Sequence, residues 1–444
     1  MNKEMKNTRG ITLIALVVSI IVLLILAGIT IAALSGDNGI LTRAKEAKEK
    51  TEQAQKEEKQ TVSNMEDMLE NIEFKNINTE DTKPGKALPA NVTILENNGN
   101  KGIVIKDQNN NEWVWIEVPK TTVFADLIID TTTELTEQDY NSIRDKLIEY
   151  VEIYRNGSAT QTKRVWTDEW YAMDGEKLIT ASTENLTNTQ KSLTNGCGLT
   201  YDEYKKAYQK MLKSVYTYGG FWIGRYEAGI EGSIEDISKA RNTHTNIIIG
   251  ESPKAINQKN AIPYNIIYCS EAQILANEMN PDNTHTSSLM FGIQWDLVCK
   301  FLEVNTDLTI SDINTSSSNW GNYKDVKIEK LSVGKYMIYD ETSGKIEQNW
   351  KSIGNDNYTK ENTGDYNKVL LSTGISNYMS KMNIYDFAGN TLEWTLEKSD
   401  NLQNPCVCRG GGYYTKGNKY PASSKENFDI QRIGSDYGFR STFY

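Results

Sequence analysis

The chain has 444 residues and a formal net charge of −11, from 59 Asp and Glu against 48 Lys and Arg. With no basic stripe beyond the first ten residues, that balance argues against nucleic-acid binding, which needs cations clustered against phosphates. Two histidines, His244 and His285, stand in separate polar stretches and leave no multi-histidine metal site.

Five cysteines, Cys197, Cys269, Cys299, Cys406 and Cys408, form an odd set without a regular framework, which is poor material for a disulfide scaffold. Cys269 and Cys299 sit in apolar helical contexts. Cys406 and Cys408 share one side of a strand, and all four read as small core residues. The 24 tyrosines and nine tryptophans suit a β-rich domain with aromatic contact surfaces, and the length allows two or three domains.

In chain order, residues 1–10 form a short leader ending in Arg9-Gly10, and Ile11 to Leu34 run without a charge. As a helix this run reaches roughly 36 Å, enough to cross a bilayer core of about 30 Å with some tilt. Lys3, Lys6 and Arg9 precede it against Glu4 alone, which predicts a single-pass span with a cytoplasmic N-terminus and the remaining chain outside. The stretch TRGITLIALVVSIIVLLILAGITI also resembles the type IV prepilin signal. The resemblance implies cleavage by prepilin peptidase between Gly10 and Ile11, and pilin-like subunits as partners. That family carries Glu at the fifth mature position, where this chain has Ala15, so the resemblance supports export and anchoring more than polymerisation.

Residues 35–75 predict a helical stalk with a weak stripe through Ala44, Ala47, Thr51, Ala54, Thr61, Met65, Met68 and Ile72. Pro, Gly and polar residues in 76–91 predict a linker. The rest, 92–444, reads as one α+β domain with short strands, few helices and many loops. Glu112–Val118 alternates as a strand with two distinct faces. Helices are expected around 138–154, from the capping box Thr200–Glu203, behind Ser270–Gln273, and over Ile293–Glu303. The polar stretches 155–198 and 304–370 read as insertions, the first of them lying on the surface.

Four stretches then stand together: TYGGFWIGRYEAGI (217–230), IPYNIIYCSEAQILANEM (262–279), NIYDFAGNTLEWTLE (383–397), and CRGGGYY through SDYGFRSTFY (408–444). In this order they resemble the formylglycine-generating enzyme, or sulfatase-modifying factor, family, whose domain is a variant of the C-type lectin fold. Read from their chemistry, Gly389 suits a positive φ and Asn390 a bond to the turn backbone. Glu393 and Trp394 point to opposite faces. Arg409 and Arg440 are expected to tie strands to core carboxylates such as Asp386 or Glu393. Gly410 and Gly411 suit a close approach and a bend, and Gly438 belongs to the same final framework. Glu393 is either held by buried donors or, with Asn390, a ligand of the structural Ca²⁺ that the resemblance implies; the two residues supply far fewer oxygens than calcium takes.

The resemblance also implies a copper-dependent cysteine oxidase with two cysteines shortly after R-G-G. The matching positions here are Thr415 and Tyr420, which offer no thiolate, and Cys406 and Cys408 precede the motif. A related iron enzyme would need a histidine triad. No catalytic residue is therefore expected, and no cofactor beyond that calcium.

In place of the chemistry stand Tyr413, Tyr414, Thr415, Asn418, Tyr420, Ser424, Lys425, Asn427, Asp429, Gln431, Arg432, Ser435, Asp436 and Tyr437. Aromatic, amide and small residues on loops of a rigid scaffold form a recognition surface, although an ordinary polar loop carries the same types. The arrangement resembles the variable proteins of diversity-generating retroelements, which vary residues between R-G-G and G-F-R. The expectation is a non-catalytic protein on a bacterial cell surface, binding a protein or glycan through these loops. A minor pilin or pseudopilin, and a formylglycine-generating oxidase, are the alternatives.

Overall fold

The computed structural model describes residues 17–24, 48 and 88–444, apart from 99–100, 160, 162, 184, 234–243, 283, 340–349, 355–356 and 362–367. The chain divides into two units, Met1–Asn78 and Thr79–Tyr444. In the first, residues 17–24 are helical and exposed. Among the described residues no helix is long and apolar enough to cross a membrane. The leader 1–10 with Gly10 and Ile11, the stalk 35–75 except Lys48, most of the span 11–34 and most of the linker lie outside the described residues. The linker's last residues are in place, with the Ala90 amide donating to Asp282 at 3.1 Å.

Two sheets organise the second unit. The first runs in spatial order β1 (Thr93–Asn98), β2 (Lys101–Lys106), β3 (Glu112–Glu117), β5 (Gly220–Gly224), β11 (Ser441–Phe443) and β6 (Ser287–Leu289). The C-terminal strand is thus inserted beside a strand more than 200 residues earlier, pairing Thr442 with Ile223 and Phe443 with Trp222. The second sheet has the order β9 (Lys425–Phe428), β8 (Cys406–Arg409), β7 (Leu392–Ser399) and β10 (Tyr437–Phe439), with β4 (Trp166–Thr167) against the far end of β7. β10 runs parallel to β7, and the other pairs are antiparallel.

β3 forms where the alternation placed it, with β2 and β5 along its edges. Trp113, Val114, Trp115 and Ile116 are all buried, so both of its faces are covered. Trp115 meets Trp222 at 5.1 Å, and Trp113 meets Phe443 edge-on at 4.9 Å. Strands covered on both sides lose the period-two signal that a half-exposed strand shows.

The helices form close to where their caps place them. α1 (Glu137–Tyr150) opens on a Thr136–Asp139 capping box, and α2 (Tyr201–Tyr218) on Thr200–Glu203, ending on Gly219 at φ 75°. α3 (Cys269–Glu278) starts two residues earlier than the Ser270 cap implied, with the Tyr268 amide donating to Glu271 Oε2 at 3.1 Å. α4 (Gly292–Asn305) is buried along most of its length.

The two insertions are also corrected. Trp170, Tyr171 and Cys197 from the first, and Trp320, Tyr323, Ile328 and Leu331 from the second, join the core. Their sequences are polar on average, yet each supplies a few large anchors at irregular spacing, and such anchors leave no periodic trace.

Candidate binding face

The loops after β8 are held by buried ion pairs at both ends. Arg409 at the end of β8 donates to Asp296 Oδ1 at 2.7 Å, Glu397 Oε2 at 3.1 Å and the Ser424 carbonyl at 3.0 Å. Its partners are therefore carboxylates of α4 and β7, and not the expected Asp386. Lys425 at the start of β9 donates to Glu397 Oε1 at 2.7 Å and the Arg155 carbonyl at 2.8 Å. Arg155 bridges Asp296 and Asp168 at 3.0 Å each. Asp168 in turn accepts from the first amides of α4, Gly292 and Ile293, as expected for a carboxylate at a helix N-terminus.

Three cations and three carboxylates thus balance in an enclosed cluster. Burial lowers the Lys425 ammonium to about 8, while Asp296 and Glu397 act against that shift. Burial acts on Asp296 in the opposite sense, yet the Lys425, Arg409 and Arg155 charges hold its carboxyl below its usual range.

At the other end, Arg440 grips Glu393 through Nε at 3.1 Å and Nη2 at 2.7 Å, and donates to the Gly224 and Tyr385 carbonyls. This is the tie expected from the sequence. Glu227, which sequence reasoning missed, completes the region by accepting from Asn390 Nδ2 at 2.7 Å and the Thr391 amide at 2.8 Å. Burial, reinforced by Asp386 and Glu393, pushes Glu227 well above the usual carboxylate range. Burial also raises Asp386 to about 7, against the Gly374 amide bond that lowers it.

These contacts settle the fit of calcium at Asn390 and Glu393. Asn390 Oδ1 already accepts from Asn322 Nδ2 at 2.8 Å and the Leu371 amide at 3.1 Å, and both Glu393 oxygens face Arg440. The pair does not fit a cation site. Among the described residues no group of three or more His, Cys, Asp or Glu is placed to hold a metal.

Copper is no better served. Thr415 Oγ1 bonds the Gly412 carbonyl at 2.9 Å, and all five cysteines are free and buried. Burial raises the Cys408 thiol well above its usual range and Cys197 to about 12. A bond to Cys406, then burial, does the same to Cys269.

Gly389 and Asn390 take φ of 75° and 59°, but the Asn390 side chain bonds the distant Leu371 backbone, Asn322 and Glu227 in place of the turn backbone expected from the sequence. Gly410 and Gly411 lie at 86° and 68°, and a Cβ on Gly411 would stand 2.3 Å from the Tyr420 carbonyl. A Cβ on Gly438 would meet Thr391 Oγ1 at 2.7 Å. Trp394 donates to the Ile267 carbonyl at 3.0 Å and stacks on Tyr437 at 5.3 Å.

On this frame the predicted binding residues divide. Tyr413, Ser424, Lys425, Ser435 and Tyr437 are buried and support the loops from beneath. The Tyr413 hydroxyl bonds Ser435 Oγ at 2.9 Å, joining two loops, and Arg432 Nε donates to the Tyr437 hydroxyl at 2.9 Å. Asn418, Asp429, Gln431 and Arg432 are exposed, while Tyr414, Thr415, Tyr420, Asn427 and Asp436 are partly so.

Six of the predicted set (Tyr414, Thr415, Tyr420, Arg432, Asp436 and Tyr437) line one open cleft of about 560 Å³, together with Lys324, Leu392, Lys416, Lys419, Glu426 and Phe428. A second cleft of about 360 Å³ adjoins it across Lys419, Tyr420, Glu426 and Phe428, and adds Gln161, Arg164, Trp166, Lys425 and Asn427. Lys324, Gln161, Arg164 and Trp166 come from the two insertions. Sequence reasoning missed them because nothing in a polar stretch marks which residue folds back onto a distant loop. Lys416, Lys419 and Glu426 lay in the singled-out segment, and their charge was the available signal.

Residues 330–442 match the family described as the sulfatase-modifying factor enzyme 1-like domain, so the chain carries such a domain over its C-terminal part. The match includes the G-N-x-x-E-W, R-G-G and G-F-R stretches and leaves out the two earlier ones. No curated protein matches the chain. Among solved structures, Treponema denticola variable protein 1 is 13% identical over 50% of this chain and 84% of its own, with a TM-score of 0.27. CarF is 11% identical over 74% of this chain and 85% of its own, with a TM-score of 0.16. Superpositions this poor carry no argument about the site.

Proposed function

We propose that this chain is a non-catalytic ligand-binding protein whose C-terminal loops form the recognition face of a lectin-like domain. The observation that carries this reading is the cleft of about 560 Å³ lined mostly by side chains of 414–437, with Lys324 and Leu392, on a frame clamped at Arg409, Lys425 and Arg440 by enclosed ion pairs. Rigid supports under partly exposed Tyr, Arg and Asn side chains suit recognition, because little order remains to be imposed on binding. The buried thiols and the absence of cysteine at Thr415 and Tyr420 weigh against cysteine oxidation as the activity.

The apolar run Ile11–Leu34 and its preceding Lys3, Lys6 and Arg9 support display from a bacterial cell surface. The exposed residues among 414–432 are the positions where retroelement diversification would fall.

The test is a glycan and peptide array probed with the full chain and with Tyr420→Ala and Arg432→Ala variants. A ligand bound by the wild type and lost in both variants, with their melting unchanged, supports the reading. Ligand binding indifferent to both variants, or conversion of a cysteine peptide to formylglycine by the purified chain, refutes it.

A further inference from the structure

The cleft carries a charge opposite in sign to that of the chain. We infer that its ligand is an acidic peptide segment of a partner protein, whose Asp or Glu side chains seat against Lys324, Lys416, Lys419 and Arg432 while its apolar atoms lie on Tyr420 and Phe428. This deepens the proposed function and rests on it. The chain as a whole is at −11, yet the cleft is lined by four cationic residues and two acidic ones, Glu426 and Asp436.

A further lysine stands behind the wall. Lys368 Nζ lies 3.7 Å from the centroid of the Tyr414 ring, and burial and the Lys324 charge lower its ammonium.

The two acids do not cancel this field. Burial and the Asp436 carboxylate raise Glu426 to about 8, with Lys419 and Arg432 acting against the shift. Burial raises Asp436 to about 6, with Arg432 opposing. Cys408, cross-strand from Glu426, is a buried thiol raised out of the titrating range. Near neutrality Glu426 holds its proton for most of the time, and a carboxylic acid donates to a ligand carboxylate where a carboxylate would repel it. Glu426 Oε1 is buried and has no hydrogen-bond partner among the described residues, a position that a protonated carboxyl tolerates at less cost than a carboxylate.

Shape favours an extended chain over a compact sugar. The two clefts share Lys419, Tyr420, Glu426 and Phe428 in their linings, and the second adds Arg164. The guanidinium of Arg432 is oriented by its bond to Tyr437 and stacks over the Phe428 ring at 5.5 Å. A planar guanidinium beside aromatic rings is the usual anchor chemistry for peptide carboxylates.

The experiment is fluorescence anisotropy of the full chain with three labelled probes: an alternating Glu/Tyr peptide, its Lys/Tyr counterpart, and an oligogalacturonate. The Glu/Tyr peptide is expected to bind at least roughly tenfold more tightly than the Lys/Tyr peptide and to weaken by a similar factor in high salt. It should also weaken as pH rises from about 6 to about 8, as Glu426 and Asp436 lose their protons. K416E/K419E is expected to abolish the preference, and Glu426→Gln to flatten the pH dependence.

Equal binding of both peptides, preference for the Lys/Tyr peptide, or indifference to K416E/K419E overturns the anionic ligand. Preference for oligogalacturonate over the Glu/Tyr peptide overturns the peptide. Failure of every probe overturns the inference too. In each case an array ligand lost in Tyr420→Ala keeps the binding face, and only its absence takes the face as well.

Discussion

Lys425→Met distinguishes a ligand contact from a structural post. The Lys425 side chain is fully enclosed and faces Glu397 at 2.7 Å and Asp296 at 3.8 Å. In the wild type, Arg155, Arg409 and Lys425 balance Asp168, Asp296 and Glu397. Methionine fills a similar volume but leaves one buried negative charge uncompensated, a loss of about 3–5 kcal/mol when a buried pair is broken on one side. Unfolding entropy scales with length at about 2.1 cal/mol/K per residue, so for a unit spanning Thr79–Tyr444 the melting temperature falls by roughly 4–7 °C. The assay is differential scanning calorimetry of the full chain. Lys425→Met combined with Glu397→Gln removes both charges and recovers much of the loss. A single variant that melts within about 1 °C of wild type while losing ligand would refute the reasoning, because it would place the ammonium at the surface.

Gly411→Ala forces a side chain onto a φ of 68° and a Cβ to 2.3 Å from the Tyr420 carbonyl. Its expected cost is about 2 kcal/mol or more, with weakened ligand binding because Tyr420 shifts, read by melting and by the array. Tyr420→Ala and Arg432→Ala leave the fold within about 1 kcal/mol and weaken binding by roughly tenfold or more; a melting drop comparable to that of Lys425→Met would disprove the division into face and support. Glu426→Gln raises the melting temperature at about pH 8.5 and leaves it nearly unchanged at about pH 5. The folded carboxyl sits above its unfolded value, so its contribution is present at low pH and lost as pH rises through about 8. Thiol titration of the native chain with a disulfide reagent shows no fast-reacting group, and all five react after denaturation; one fast native thiol would contradict the enclosed cysteines.

Much of the frame was legible before the structure because its signals are local. The caps at Thr200–Glu203 and the positive φ at Gly389 are written within four residues of where they act. Arg440 to Glu393 was legible as a type of contact, a buried Arg needing a carboxylate, although Arg409 found Asp296 and Glu397 instead. The binding face was half legible. The segment was right, but Lys425 and Tyr413 read as ligand contacts because a lysine and a tyrosine in a polar loop look alike whether they face water or the core. Only the position of Glu397 and Ser435, distant in sequence, decides which. For the same reason Glu227, buried and paired with Asn390, went unmarked although it lies within the singled-out stretch 217–230.

The post at Lys425 has a consequence for how the segment can change. β9 pairs with β8 along its whole length, from Arg409 opposite Lys425 to Cys406 opposite Phe428. The span between β8 and β10 is therefore two tethered loops, 410–424 and 429–436, and each closes on its own anchors. Closure entropy grows only with the logarithm of loop length, about 0.6 kcal/mol per doubling. Residues added at the exposed tips, near Asn418 or Gln431, would thus cost far less than any change at the post. Each loop could be lengthened at its exposed tip without touching the Tyr413–Ser435 bond that joins the two beneath the surface, so the two tips can be varied separately on one shared base.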